Sequence, residues 1–115
     1  MKEEEKSVTK EKQVIDYCNT FPEVYEDQPF GKSACIVMRH QSNKKVFAWI
    51  FRREEYIWVN VKCDPEWRDF WRGVYTSVVP GYHLNKKYWN SIILDGTVPE
   101  EEIKKMITES YQLTR

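Results

Sequence analysis

Three β-dense runs separated by turns of a few polar residues fill positions 34–62, and that rhythm constrains the fold more than any other feature of the chain. Residues 34–39 (Ala-Cys-Ile-Val-Met-Arg), 46–51 and 56–62 are rich in β-branched and aromatic side chains, the types that suit a pleated, half-buried surface. Gln41-Ser42-Asn43-Lys44 and Arg52-Arg53-Glu54-Glu55 lie between them. Connections this short turn the chain back on itself, because parallel neighbours need a crossover of about a dozen residues or more. The stretch predicts an antiparallel meander.

Helical signals flank it. Over residues 3–20, Val14, Cys18 and Phe21 recur near a spacing of four, with Ile15 beside them, and Phe21-Pro22 stops the helix because a residue before proline is pushed out of the α region. The acidic and aromatic link 23–31 holds Pro29 and Gly31 and cannot be regular helix. Asp64-Pro65-Glu66 supplies an N-cap, a first-turn proline and a favourable charge for a second helix. Trp67, Phe70, Trp71 and Val74 then share one face by spacing and are expected against the sheet. Residues 76–79 lead into Pro80-Gly81, and residues 89–94 form a further strand closed by Asp95-Gly96. Pro99 opens the last helix, with Ile103, Met106, Ile107 and Ser110 inward. Helices gathered on one face of an antiparallel sheet make an α+β two-layer sandwich.

At 115 residues the chain is expected to be one domain, residues 1–115. An aromatic content of 15% argues against disorder even though the mean hydropathy is −0.72. No apolar run approaches the ~20 residues of a membrane span, and no hydrophobic region follows Met1–Lys6, so neither a membrane anchor nor a secretory signal is expected. Cys18, Cys35 and Cys63 form no close pair, which predicts reduced thiols in a cytoplasmic protein.

The formal net charge is zero, but it is unevenly spread. From Lys32 to Lys87 there are eleven cations against five anions, and the two ends carry seven against thirteen. Within this basic middle, residues 80–92 (Pro-Gly-Tyr-His-Leu-Asn-Lys-Lys-Tyr-Trp-Asn-Ser-Ile) crowd cations, amides, a histidine and aromatics into one segment. It is too polar for a core strand and too aromatic for a solvated loop.

His83 with Asn85 and Lys86 superficially suggests acid–base chemistry, but no phosphate loop or nucleophile elbow accompanies them. A hydrogen bond from His83 to its own turn, or to the acidic link near Glu26, is the simpler expectation, and the chain is not expected to be an enzyme. Three cysteines and two histidines without paired spacing offer no zinc site, and no cofactor is expected. Cys63 beside the helix start is read as a small buried hydrophobe. Lys86, Lys87, Tyr88 and Trp89 alternate charge and ring as a phosphate-and-base surface would. Arg39, Lys44, Lys45, Arg52 and Arg53 add cations at the hairpin ends. The opposing reading makes Tyr82 and Trp89 core and the lysines a solvated rim. A second class also stays open: Trp49, Tyr56 and Trp58 on a sheet face would serve a protein- or peptide-interaction module or self-association.

Asp16-Tyr17-Cys18, Val24-Tyr25-Glu26, Pro29-Phe30-Gly31, Lys62-Cys63-Asp64-Pro65-Glu66, residues 80–87 with Trp89, Leu94-Asp95-Gly96 and Ser110-Tyr111 together resemble the MmcQ/YjbR family of bacteria. The likeness runs over most of the chain. Tyr88 departs from it, standing where histidine is more usual, and the Trp67/Trp71 pair is bulkier than usual. The resemblance implies an α-β(3)-α-β(2)-α sandwich with a five-stranded antiparallel sheet, similar to secretion chaperones and to a double-wing DNA-binding domain. It also implies DNA as partner. The uneven charge and the interleaved cations and rings put the expected contact on His83, Asn85, Lys86, Lys87, Tyr88, Arg39, Lys44, Lys45, Arg52 and Arg53, and the acidic chain ends predict weak binding with little sequence preference.

Overall fold

The computed structural model describes residues 3–31 and 34–115, with side chains from Lys10 onward; Lys32, one of the central cations, lies outside the described residues. The order is α1 (Glu3–Cys18), β1 (Val24–Asp27), β2 (Ile36–His40), β3 (Val46–Arg53), β4 (Tyr56–Lys62), α2 (Pro65–Val74), β5 (Val78–Pro80), β6 (Trp89–Ile93) and α3 (Glu100–Thr114). The sheet runs β1-β2-β3-β4-β6-β5, and every neighbouring pair is antiparallel. It is the α+β sandwich the sequence predicts, with one strand more than the expected five. The extra strand, β1, lies in the link 23–31. Pro22 and Pro29 exclude helix there, but they are compatible with a short edge strand that pairs on one side only.

Alternation along each strand sorts the two faces. Ile57, Val59 and Val61 of β4 join Ile50, Ile92 and Val78 in a core shared with Val14 and Cys18 of α1 and Met106, Ile107 and Tyr111 of α3. Trp58, Asn60 and Lys62 alternate with them and belong to the helix-free face. The register of β3 against β2 shifts between Met38 and Arg39, which pair with Ala48 and Val46. Phe47 is the extra residue of this bulge, so its ring and Ala48 both enter the core. There Phe47 meets Phe21, His40 and Tyr111.

The second helix corrects the sequence reading. Asp64 caps it as expected, its carboxylate accepting from the Glu66 N–H. Of the four predicted inward residues, however, only Trp71 is buried, while Trp67, Phe70 and Val74 are exposed. The cause is a pair of arginines one turn apart. Arg72 donates from Nε to Asn90 Oδ1 (2.7 Å) and from Nη2 to the carbonyls of Lys86 (2.6 Å) and Trp89 (3.3 Å). Arg68 donates to the Lys87 carbonyl (3.0 Å). These charge-assisted bonds turn the 68/71/72 side of α2 inward and leave Trp67, Phe70 and Val74 in solvent.

His40 is 3% exposed, bonds through Nε2 to Thr114 Oγ1 (2.7 Å) and touches the rings of Phe47 and Tyr111. Burial, with Arg115 and Lys45 nearby, lowers its pKa below the ordinary 6.5. The folded state therefore binds fewer protons than the unfolded state just below pH 6.5. The stabilising contribution is present above that value and is lost as the pH falls toward the folded pKa. Denaturant unfolding at pH 7.5 and 5.5 should show lower stability at 5.5, and His40→Gln should reduce the difference.

Candidate functional site

The helix-free face of the sheet collects much of the basic and aromatic content. Loop 81–88 folds back over it, because a buried polar relay draws the loop down. Asn60 Nδ2 donates to the Tyr82 carbonyl (2.9 Å), the Tyr82 N–H donates to Ser91 Oγ (2.9 Å), and Ser91 Oγ donates to Asn60 Oδ1. Gly81 makes the approach possible, since a Cβ there would lie 2.7 Å from Trp89 Cβ and 2.9 Å from the Trp89 carbonyl oxygen. Tyr82 is thereby laid against Phe51 and Trp58.

Beside this loop is a hollow of about 350 Å³, walled by Phe30, Cys35, Trp49, Phe51, Tyr82 and Leu84 with Asn60 in its lining. Phe30 is 65% exposed and stacks over Trp49 at 6.4 Å. The Trp49 indole N–H is buried and has no hydrogen-bond partner among the described residues. The aromatic surface expected of Trp49, Tyr56 and Trp58 is only partly present: Trp58 is buried and Trp49 half-buried. Arg53 covers part of the cluster, its guanidinium 4.8 Å from the Trp58 ring centre and 4.4 Å from that of Tyr82.

The sequence-predicted residues fall into three groups. Lys86, Lys87, Tyr88 and Asn85 stand together on the loop, exposed. Asn85 stiffens the turn by accepting the Lys87 N–H on its side chain and the Tyr88 and Trp89 N–H groups on its carbonyl. Lys87 Nζ lies 5.5 Å from the Tyr88 ring centre. His83, at the mouth of the hollow, sets its ring 4.1 Å from that of Tyr82 at a tilt of 55°, with φ 61°. It is exposed, and its side chain makes no hydrogen bond among the described residues, contrary to the expected bond to its turn or the acidic link.

The hairpin cations divide between the two ends of β3. Lys44 and Lys45 precede it and Arg52 and Arg53 close it, roughly 25 Å apart at the rise of a strand. Arg53 also holds Glu54 at 2.9 Å. Arg39 is occupied, with Nε on Asp27 (2.8 Å) and Nη1 on the Lys44 carbonyl (2.8 Å). Lys62, Tyr25 and Trp89 also fall on this face by strand register. The alternation Trp58-Asn60-Lys62 was the signal that places Lys62 there.

Cys63 is a buried thiol, as read, and not a reactive one: burial and the nearby Glu109 push its pKa up to about 11. Burial raises Cys18 to about 12. Cys35, half-buried in the hollow, is raised as well. The three do not pair. Among the described residues no group of three His, Cys, Asp or Glu side chains is placed to hold a metal, and no helix is long and apolar enough to cross a membrane.

Relatives share this architecture. The chain is 38% identical over 88 residues to the Bacillus subtilis protein called Uncharacterized protein YyaQ, covering 68% of this chain and 74% of that protein. It is 34% identical over 67 residues to the Escherichia coli K12 Uncharacterized protein YjbR, covering 58% of this chain and 57% of that one. The crystal structure of Deinococcus radiodurans protein DR2400, described as a DUF419 domain, superposes with a TM-score of 0.80 at 31% identity, over 89% of this chain and 75% of that one. A Pseudomonas syringae crystal structure gives 0.80 at 29%, over 90% and 97%. The sequence profile of the YjbR family matches residues 19–113, and the chain belongs to the YjbR family.

Proposed function

We propose that this protein is a DNA-binding module without catalytic activity, and that its helix-free sheet face takes exposed bases in preference to an intact duplex. The observation that carries the reading is the pairing of the aromatic hollow at Phe30, Trp49 and Tyr82 with the exposed Lys86-Lys87-Tyr88 segment on the same loop that walls it. Stacking on rings is indifferent to base identity, and lysines track the phosphates, so binding is weak and tolerant of sequence. The separation of the two hairpin ends favours a strand laid along the face over a single phosphate cluster. Affinity near ~10⁻⁴–10⁻⁶ M at physiological salt is expected, with the acidic chain ends opposing tighter association.

The test is a salt titration of binding to a single-stranded oligonucleotide and to a short duplex. Lys86→Ala combined with Lys87→Ala should lower the log–log slope by about two without unfolding the protein, since only the backbone carbonyls of these residues serve Arg68 and Arg72. Bound single strand should also slow alkylation of Cys35, the cysteine in the hollow wall. Absence of binding to either nucleic acid at low salt sinks the proposal. If a peptide ligand instead binds in a salt-independent manner and is lost with Trp49→Ala, the module is a protein-interaction one.

A further inference from the structure

The gap between α1, the end of β6 and the start of α3 has no part in the face just described. It is a cavity of about 190 Å³, partly open to solvent, with aliphatic walls of Val14, Ile93, Leu94, Val98, Ile103 and Ile107. Tyr17 also lines it, and its hydroxyl shares a hydrogen bond with Thr108 Oγ1 (2.8 Å) that ties α1 to α3. About two turns back along α1, Lys10 donates from Nζ to the Leu94 carbonyl (2.9 Å) and ties the same helix to the end of β6. The two bonds pin the walls, and the side chains between them leave the gap unfilled. Apolar walls facing an unfilled space forfeit dispersion contacts, which a ligand of matching size restores.

Charge and size identify the occupant. The charged side chains lining the cavity are Lys10, Lys104 and Glu100, so the lining carries one positive charge in excess. Lys104 is paired with Glu100 at 3.2 Å and lies over the Tyr17 ring, 5.3 Å from its centre. Lys10 is half-buried and has no carboxylate partner among the described residues. An ammonium has three donors, and the Leu94 carbonyl takes one. Spare donors on one unpaired cation beside aliphatic walls complement a single carboxylate with an apolar tail. A phosphate, doubly charged and strongly hydrated, matches neither the single excess charge nor the walls. An apolar cavity of about 150 Å³ admits benzene, so about 190 Å³ takes a tail of roughly six carbons. We propose that this cavity binds a medium-chain aliphatic monocarboxylate, its tail among the α1 and α3 side chains and its carboxylate on Lys10. The site lies in the helical layer, opposite the face assigned to DNA, and does not rest on that reading.

Nuclear magnetic resonance titration of the isotope-labelled full chain with sodium butanoate, hexanoate and decanoate, and with hexanol, tests it. Hexanoate should bind saturably, at about 1 mM or tighter, and shift the amide signals of Val14, Leu94 and Ile103. Each methylene added between butanoate and hexanoate should tighten binding about fourfold, as expected for a buried CH₂. Decanoate should gain little more, because the cavity is then full. Lys10→Met keeps the apolar stem and removes the charge, so it should weaken hexanoate about tenfold and leave hexanol unchanged. Lys10→Arg should retain hexanoate binding. The absence of a saturable shift up to about 20 mM hexanoate overturns the proposal. So does an affinity indifferent to Lys10→Met, equal binding of hexanol and hexanoate, or shifts centred on the Phe30 and Trp49 hollow instead.

Discussion

Phe47→Ala is expected to destabilise the protein by about 3–5 kcal/mol, the range for deleting a fully buried aromatic ring. Strict alternation along β3 would put residue 47 on the face opposite Ala48, where truncation of a surface side chain costs little. The bulge against Met38 and Arg39 reverses that. Phe47 is 0% exposed and sits edge-on to Phe21 at 6.0 Å and to Tyr111 at 5.4 Å, with the His40 ring at 5.2 Å. Its own carbonyl accepts from Ser110 Oγ (2.6 Å), which pins the strand to α3, so the cavity cannot close by moving the backbone. Against a typical total of about 5–15 kcal/mol, this loss should lower the thermal midpoint by more than about 10 °C. A calorimetric shift of only a few degrees would mean that the bulge does not turn this ring inward. Phe47→Leu, which keeps most of the apolar volume, should recover a large part of the loss.

Arg72→Ala should be the most costly change outside the apolar core, at about 3 kcal/mol. The guanidinium makes the charge-assisted bond to Asn90 Oδ1 and caps two loop carbonyls, and Asn90 is 0% exposed. Removing the donor leaves a buried amide oxygen unsatisfied, which costs about 1–3 kcal/mol beyond the lost bonds. Burial already lowers the Arg72 pKa, so the group is charged in a site that tolerates the charge only through these acceptors. Denaturant titration measures the loss. A double-mutant cycle with Asn90→Ala should show the pair costing less together than the sum of the singles, since the second change removes the orphaned acceptor. Strict additivity would show that the bond does not couple α2 to β6. Because Arg72 also anchors the Lys86 carbonyl, Arg72→Ala should weaken nucleic-acid binding with little change in the salt slope. That outcome separates a residue that positions the loop from the lysines proposed to meet phosphate.

Local chemistry settled most of the elements. The Asp64-Pro65-Glu66 helix start, the 56–62 strand, the Asp95-Gly96 turn and the Pro99 opening of α3 depend on capping, β-branching and fixed backbone angles within a few residues, and each is where the sequence places it. The antiparallel pairing of 34–62 followed in the same way from turn length. The β3–β4 turn is tighter than read: Glu54 and Glu55 alone take positive φ, 51° and 75°, and Arg52 and Arg53 pair with Ile57 and Tyr56 inside the strands.

What the sequence could not decide were the orientations set by distant partners. The apolar period of α2 favoured Trp67, Phe70, Trp71 and Val74 equally, but carbonyls contributed by residues 86–89 hold Arg68 and Arg72 inward and turn the helix. The Phe47 bulge is invisible in β3 alone, because it is an offset against β2. The edge strand β1 carries little alternation and is defined by its pairing to β2. Composition likewise revealed the basic middle of the chain, whereas its division between two ends of β3 and one aromatic loop follows from strand length and sheet order. Capping, turns and propensity act over a few residues and can be read along the chain. Rotation, register and the clustering of charge arise between segments tens of residues apart, and only the packed sheet brings those together.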